Sequence, residues 1–167
     1  NISIVTPNKV ANSGTYEQYQ SFRDIAKKRN VKFLYETNVG AGLPIINTLQ
    51  GLITSGDTIH KIEAVLSGTL SYIFNTFKVG DKLVDVVKDA KAQGYTEPDP
   101  REDLCGNDVG RKLLILAREL DLQNEFDEIA IQNLIPEHLR EGDVSTFLNK
   151  LKEFDPIYAK IKAEQQP

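Results

Sequence analysis

The sequence predicts an α/β fold, α+β overall, and three observations favour it. A β-branched run at residues 2–5 is followed by a helix-spaced segment at 15–29 and by a second apolar run at 31–35. Strand, helix and strand within about thirty residues are typical of a βαβ unit, which has parallel strands and a right-handed crossover. The rest of the chain contains mostly helical patterns with two further strand-like runs. We therefore expect helices packed on a small mixed sheet.

The first helix is predicted from its spacing and its cap. Tyr16, Tyr19 and Phe22 recur at helical intervals, and Thr15 with Gln18 fits a capping box. The segment 6–14 before it is polar and is predicted to be a turn. Ligands of βαβ units bind at the carboxyl ends of the strands, which here are residues 6–9 and 36–42.

The other elements follow from periodicity and from helix-stop residues. Alternation predicts a strand at 59–66, and the run 129–135 before Pro136 is a second predicted strand. Pro44 suits the first turn of a helix, while Gly56 and Gly94 suit the positions just past helix ends. The further predicted helices are 43–55, 67–77, 83–93, a stretch from 108 to 120, one that begins after Asp143 or Ser145, and one around 157–161.

Composition excludes several classes of function. The chain has 167 residues, a net charge of −4 and 40% hydrophobic residues, so it lacks the basic field that nucleic-acid binding requires. Its apolar runs fall short of the roughly 18 residues that span a membrane. Cys105 is the single cysteine, and His60 and His138 are the only histidines, so we expect no disulfide framework and no Cys/His zinc site. A packing role for Cys105, surface positions for both histidines and a cytoplasmic location are expected.

The ends of the sequence predict a fragment of a longer protein. The chain begins at Asn1, contains no methionine and starts on a strand-like run without a preceding cap. We therefore expect residues upstream of the chain to be missing, and the charged tail after Tyr158 to end without a final structural element.

A charged loop at residues 94–112 is the densest concentration of functional groups. Pro98 and Pro100 restrict its backbone, and Asp108 and Lys112 lie four residues apart at the start of a predicted helix. Such a pair is usually a solvated surface ion pair that contributes less than about 0.5 kcal/mol. The predicted apolar stripe beside it comprises Val109, Leu113, Leu116, Ala117 and Leu120. A lysine at the border of a core could have a shifted pKa and transfer a proton.

The segment Val39-Gly40-Ala41-Gly42 has three interpretations. It follows a strand and precedes a helix, as a phosphate-binding loop does, but Ile45 stands where the dinucleotide fingerprint needs its third glycine. A tight strand-to-helix turn is an equally good interpretation. In the third, backbone carbonyls and Glu36 bind a hard cation, which prefers oxygen ligands.

Three segments resemble the signatures of homoserine dehydrogenase. They are Glu36-Thr-Asn-Val-Gly-Ala-Gly-Leu-Pro44, Leu66-Ser-Gly-Thr-Leu-Ser-Tyr-Ile-Phe-Asn75, and Gly94-Tyr-Thr-Glu-Pro-Asp-Pro-Arg101 with Asp108-Val-Gly-Arg-Lys112. The resemblance covers residues 5 to about 120 and is similar to the form fused behind an aspartate kinase. It implies NAD- or NADP-dependent interconversion of L-aspartate 4-semialdehyde and L-homoserine, in threonine and methionine biosynthesis.

The resemblance also implies roles for particular residues. Lys112 matches the catalytic acid/base, and Lys9 matches a second lysine near the reacting centre. Glu97 and Asp108 match the ligands of the amino-acid substrate. The remaining matches are Thr6, Lys9 and Gly94 for the nicotinamide cofactor, and Glu36 with the backbone oxygens of Val39, Ala41 and Leu43 for a sodium ion.

On this basis residues 1–37 are expected to be the end of a Rossmann-type dinucleotide-binding domain. Residues 38–167 are expected to form the substrate-binding, catalytic and dimerisation region, which assembles as a homodimer or higher homo-oligomer. The family's glycine-rich pyrophosphate loop is absent from the sequence, so we expect the chain alone to be inactive. The alternative hypothesis is a non-catalytic dimerisation and interaction scaffold, in which the charged loop is a structural ion network.

Overall fold

The computed structural model of the chain describes residues 1–78 and 80–164. Two short strands, β1 and β2, lie among helices and turns of 3-10 helix. In chain order the strands and α-helices are β1 (Ile4–Val5), α1 (Val10–Ser13), α2 (Tyr16–Arg29), β2 (Phe33–Leu34), α3 (Ile45–Thr54), α4 (Gly68–Thr76), α5 (Leu83–Ala92), α6 (Arg101–Leu104), α7 (Asn107–Glu119), α8 (Val144–Lys150) and α9 (Asp155–Glu164). The 3-10 turns are Glu36–Asn38, Phe126–Glu128, Glu137–Leu139 and Leu151–Phe154.

The chain divides into two compact units. The first comprises Asn1–Leu66 and Asp108–Ile131, and the second comprises Ser67–Asn107 and the described residues from Gln132 onward. The first unit contains both strands and most of α7. The division into domains at residues 37 and 38 stays a prediction.

The predicted βαβ unit is confirmed in the first unit. Ile4 pairs with Phe33 and Val5 with Leu34 in a parallel ladder, and α2 forms the crossover. The side chain of Thr15 accepts a hydrogen bond from the backbone N–H of Gln18 at 3.3 Å, so the predicted N-cap is correct. The polar segment 6–14 is more ordered than predicted, because it contains α1.

The predictions of two further strands, at 59–66 and at 129–135, are wrong. Among the described residues, neither 59–66 nor 129–135 forms a strand. Ile59, Ile62 and Leu66 instead pack on the core at intervals of three and four residues, which is incompatible with a two-residue repeat. The segment 129–135 passes from one unit into the other at residue 131, so it cannot pair along its length within one sheet.

Each unit has its own hydrophobic core. In the first unit, α3 and α7 contribute most of the buried side chains, which are Val39, Ile46, Leu49, Ile115 and Leu116. In the second unit the core is larger and includes Phe147 and Phe154, whose rings meet edge to face with centroids 6.1 Å apart. Cys105 packs against this second core, as predicted, and both His60 and His138 are exposed.

Two predicted helix boundaries in the second unit are confirmed by hydrogen bonds. Gly94 adopts a positive φ of 75° after α5, and the N–H of Tyr95 donates to the carbonyl of Ala90. This is a Schellman motif. Asp143, rather than Ser145, caps α8, because its carboxylate accepts the N–H of Thr146 at 2.9 Å.

The buried face of α7 differs from the predicted stripe. Leu116 is buried as expected, but Leu113 is 42% exposed, while Gly110 and Leu114 are buried. The reason is the small size of Gly110: an added Cβ would lie 2.6 Å from Ile131, so glycine allows that side chain to pack directly against the helix backbone. The helix therefore turns this face inward.

The turn before α3 depends on Gly40. Its φ is +83°, and the following residue, Ala41, has a φ of +52°. A Cβ at Gly40 would lie 2.5 Å from Cγ1 of Ile45, in the first turn of α3. Glycine is thus required both for the backbone conformation and for the close approach.

We predict that Gly40→Ala lowers the free energy of unfolding by at least about 2 kcal/mol, because left-handed strain and overpacking add. Gly42→Ala is the matched control: a Cβ at Gly42 meets nothing within 4 Å, and the change should stay within about 0.5 kcal/mol. Urea denaturation of both variants measures the difference. Equal stability of the two variants would contradict this account of the turn.

Candidate active site

The structure brings together three of the predicted site residues, all in the first unit. Asp108 lies between two lysines, with one carboxylate oxygen 2.7 Å from Nζ of Lys112 and the other 3.1 Å from Nζ of Lys9. Asp108 and Lys112 stand one turn apart on α7, whereas Lys9 immediately precedes α1. The geometry places the Lys112 amine beside the Asp108 carboxylate and Asp108 beside Lys9. The predicted meeting of Lys112 with both Glu97 and Asp108 stays a prediction.

Lys112 is held more firmly than a surface lysine. Its Nζ also donates to the backbone carbonyl of Leu66 at 2.7 Å, and its side chain is only 17% exposed. Lys9 is 26% exposed and Asp108 46% exposed. Two fixed acceptors thus orient the Lys112 ammonium while leaving one of its three N–H groups available.

Asp108 remains ionised because of its two lysine partners. Partial burial raises the pKa of this carboxyl, but hydrogen bonds from Lys112 and Lys9 outweigh the burial, so the pKa lies below its ordinary value. The cluster therefore contains two ammonium groups and one carboxylate at neutral pH. Its excess positive charge would stabilise negative charge that develops on a nearby oxygen.

Local hydrogen bonds shape the turn that carries Lys9. The hydroxyl of Thr6 accepts the N–H of Asn8 at 3.1 Å, and the side-chain carbonyl of Asn8 accepts the N–H of Val10 at 2.8 Å. The carbonyl of Lys9 then accepts the N–H groups of Asn12 and Ser13, which starts α1. Short polar side chains of this kind favour turns over regular structure.

A cavity of about 400 Å³ lies at the carboxyl ends of β1 and β2. Thr6 and Glu36, two of the predicted site residues, line it. Other polar lining residues are Arg23, Tyr35, Thr37, Asn47 and Gln50. The cavity occupies the place that the parallel-strand rule predicts for a ligand.

The structure gives Glu36 a capping role. Its two carboxylate oxygens accept the N–H groups of Ile46 and Asn47, each at 2.9 Å, at the start of α3. A phosphate at this helix terminus would need the same donors, so the geometry disfavours a phosphate loop and favours a tight turn. Val39 is buried, whereas Ala41 and Leu43 are exposed. The cation site formed by these residues and Glu36 stays a prediction.

Glu97 and Gly94 belong to the second unit. The N–H of Glu97 donates to the carboxylate of Asp103 at 2.9 Å, and its side chain is exposed. In the same loop Arg101 donates to both carboxylate oxygens of Asp99, which holds the pKa of Asp99 below its ordinary value. This part of the charged loop is therefore a structural ion pair, and the roles of Glu97 and Gly94 stay predictions.

Sequence reasoning missed the polar residues that support the lysine cluster. Asn12, Asn38 and Arg118 are buried, and they link the Lys9 turn, the end of β2 and α7 by hydrogen bonds. Their surroundings in the sequence are those of ordinary turn residues and of a basic residue in a helix. The only available signal was that Arg118 lies near the apolar stripe of α7.

Comparison with known families now identifies the chain. A family model described as homoserine dehydrogenase matches residues 44–166, more than half of the sequence. The chain belongs to the homoserine dehydrogenase family. The resemblance proposed from its three segments is thereby confirmed.

Individual homoserine dehydrogenase relatives cover the chain almost completely. A bifunctional aspartokinase/homoserine dehydrogenase 1 of Arabidopsis thaliana, named chloroplastic, is 48% identical over 99% of the chain. A homoserine dehydrogenase of Schizosaccharomyces pombe is 44% identical, also over 99% of the chain. The chain spans 18% of the length of the first relative and 46% of the second.

The fold has a counterpart among solved structures. A hyperthermophilic archaeal homoserine dehydrogenase in complex with NADPH superposes with a TM-score of 0.62 and 34% identity, over 70% of this chain and 35% of that one. The predicted α/β fold class is confirmed. No helix within the described residues is long and apolar enough to cross a membrane.

We predict that Asp108→Asn reduces stability in a pH-dependent way. Because the folded-state pKa of Asp108 is lowered, its contribution is present above the ordinary aspartate pKa of about 3.9 and is lost as pH falls through the folded value. The difference in unfolding free energy between wild type and variant should therefore be constant near neutrality and shrink in acid.

Urea denaturation across this pH range measures the effect, with the exposed Asp24→Asn as the control that should change little. A difference for Asp108→Asn that grows on acidification would contradict the assigned direction of the pKa shift.

Proposed function

We propose that the chain carries the catalytic lysine cluster of an enzyme that interconverts L-aspartate 4-semialdehyde and L-homoserine with NADH or NADPH. The observation that carries this proposal is the position of Lys112, whose ammonium lies 2.7 Å from both Asp108 and the carbonyl of Leu66. Membership of the homoserine dehydrogenase family supports the reaction class. The NADPH complex of the archaeal relative supports the type of cofactor.

In the direction of reduction, the residues of the chain handle charge and a proton. The nicotinamide cofactor, when bound, supplies the hydride. Negative charge then builds on the former aldehyde oxygen, where the Lys112 ammonium stabilises it and donates the proton that completes the alcohol. Lys9 adds a second positive charge close to Asp108, so the cluster carries one excess positive charge before the proton leaves and becomes neutral once it has left.

We assign the substrate's ammonium group to Glu97 and Asp108. Carboxylates are strong acceptors for an ammonium N–H, and Asp108 has the capacity for more than its two present partners. For the cofactor we assign Thr6, Lys9 and Gly94. Thr6 fits this role because it lines the cavity at the carboxyl ends of the strands.

A sodium ion on the loop before α3 is also part of the proposal. We assign Glu36 and the backbone oxygens of Val39, Ala41 and Leu43 as its ligands, because each Glu36 carboxylate oxygen accepts a single N–H group and has a further lone pair. Leu43 already accepts the N–H of Ile45, yet a carbonyl oxygen has a second lone pair. The ion would stiffen the turn that Gly40 makes possible.

For assembly and location we propose a homodimer or higher homo-oligomer in the cytoplasm, acting on a small amino-acid substrate. The single cysteine fits a reducing compartment, although the matching Arabidopsis relative is named chloroplastic. The second candidate function, a non-catalytic scaffold, is favoured only by the Asp99–Arg101 ion pair in the charged loop.

We predict that Lys112→Ala in the complete gene product lowers kcat for semialdehyde reduction by about 10²- to 10⁴-fold, the usual contribution of a positioned proton donor. The exposed Lys88→Ala on α5 is the matched control and should retain wild-type activity. The loss of reduced-nicotinamide absorbance measures the rate, and circular dichroism verifies folding. A folded Lys112→Ala protein with near wild-type activity would refute the catalytic assignment and leave the scaffold.

A further inference from the structure

The Lys9 turn is connected to the rest of the first unit by a buried chain of amide hydrogen bonds. Asn12 and Asn38 both have 0% of their surface exposed. The side-chain N–H of Asn12 donates to the side-chain oxygen of Asn38 at 2.8 Å, and the side-chain N–H of Asn38 donates to the carbonyl of Thr6 at 3.1 Å. Arg23 donates to the side-chain oxygen of Asn12, with both terminal nitrogens at 3.3 Å. We name this series, from Arg23 through Asn12 and Asn38 to Thr6, the amide relay.

The direction of the amide relay is fixed at both ends. A guanidinium can only donate, so the atom of Asn12 that faces Arg23 must be its oxygen. A backbone carbonyl can only accept, so the atom of Asn38 that faces Thr6 must be its nitrogen. In the hydrogen bond between the two amides, the side-chain N–H of Asn12 must therefore donate to the side-chain oxygen of Asn38. Reversing either amide would place two donors or two acceptors in contact.

Arg118 attaches the same turn to the helix that carries Lys112. Its side chain is 0% exposed, and one terminal nitrogen donates to the backbone carbonyl of Asn12 at 2.9 Å. The other donates to the carbonyl of Asn124 at 2.9 Å. Arg118 follows Lys112 by six residues, or about 9 Å along α7. The Lys9 turn is therefore joined directly to the helix on which Asp108 and Lys112 stand.

The energetic cost of this arrangement indicates a positional role. Burying amide and guanidinium groups costs free energy, and the hydrogen bonds that they form inside the protein largely offset that cost. Apolar side chains would fill the same volume at lower cost, but they would fix no direction. A directional hydrogen-bond network instead specifies one arrangement of the three segments that it joins, although Nε of Arg118 is buried without a hydrogen-bond partner in the described residues.

Resting on the proposed function, we infer that Asn12 and Asn38 are positioning residues that place Lys9 against Asp108 and Lys112. They touch neither substrate nor reacting atoms. The relay holds the start of the turn through the Thr6 carbonyl, and Asn12 holds its end through α1. Lys9 lies between these two fixed points, and its Nζ reaches Asp108 at 3.1 Å. Loss of the relay would let the second ammonium move away from the reacting centre.

The test measures kcat and KM of the complete gene product with two relay variants. Asn38→Asp removes the side-chain donor to the Thr6 carbonyl at nearly constant volume. Asn12→Asp keeps an acceptor for Arg23, where it adds an ion pair that supports folding, and removes the donor to Asn38. We expect each variant to lower kcat by about 10- to 100-fold, the range for a small misplacement of a catalytic group, with a much smaller change in KM for the semialdehyde. The exposed Asn149→Asp is the matched control and should leave both constants unchanged.

A double-mutant cycle separates positioning from general destabilisation. In a Lys9→Ala background, Asn38→Asp and Asn12→Asp should each change kcat by less than about twofold, because the group that they position is absent. Losses that multiply with that of Lys9→Ala, or relay variants with wild-type kcat, would overturn the inference. Either of these results is compatible with an inactive Lys112→Ala protein, in which case the positioning role is refuted and the proposed function stands. A fully active Lys112→Ala protein would refute the proposed function itself.

Discussion

One carboxylate shared by two ammonium groups is the interaction on which the candidate site depends. Asp108 contacts Lys9 and Lys112 with separate oxygens, so it holds two like charges close together that would otherwise repel. Because only one negative charge compensates two positive ones, the cluster keeps a net positive charge. A site of this kind suits chemistry in which an oxygen gains negative charge and then a proton.

The support behind this cluster is polar rather than apolar. Arg118 is buried, its pKa is lowered chiefly by burial, and it donates to backbone carbonyls in two different segments. Its ring contacts are with Tyr16 and Tyr19, whose centroids lie 5.7 and 5.0 Å from its guanidinium carbon. A guanidinium is suited to this task because its planar donors diverge towards several acceptors and because it stacks on aromatic rings. Helix α7 thus carries both the proposed proton donor and the residue that fixes the turn opposite it.

The loop between β2 and α3 shows how one segment can meet several demands. Glu36 supplies the helix terminus with acceptors for two N–H groups, and Gly40 reverses the backbone beside Ile45. These two features explain much of the Glu36-to-Pro44 signature in structural terms, without any ligand. They also explain why the glycines superficially resemble a phosphate loop: the anion at this helix terminus is a carboxylate of the chain itself.

Local sequence alone determined the elements whose signals lie within a few residues. Short-range hydrogen bonding explains why Thr15 and Asp143 cap their helices and why Gly94 follows the end of α5. Helical periodicity explains the crossover helix between the two parallel strands. The pairing of Asp108 with Lys112 was predictable for the same reason, since four residues make one helical turn. The approach of Lys9 was reached only through the family resemblance.

Tertiary structure decided the rest, because the relevant partners are distant in sequence. An alternating run such as 59–66 becomes a strand only if another strand pairs with it, and in the described residues its isoleucines pack on α3 and α7 instead. The burial of Gly110 depends on Ile131, and the amide relay depends on residues 12, 23 and 38 meeting in the interior. A sequence shows that these groups are polar or small. Only the folded chain determines which of them lose contact with water, and that loss is what makes their hydrogen bonds directional constraints.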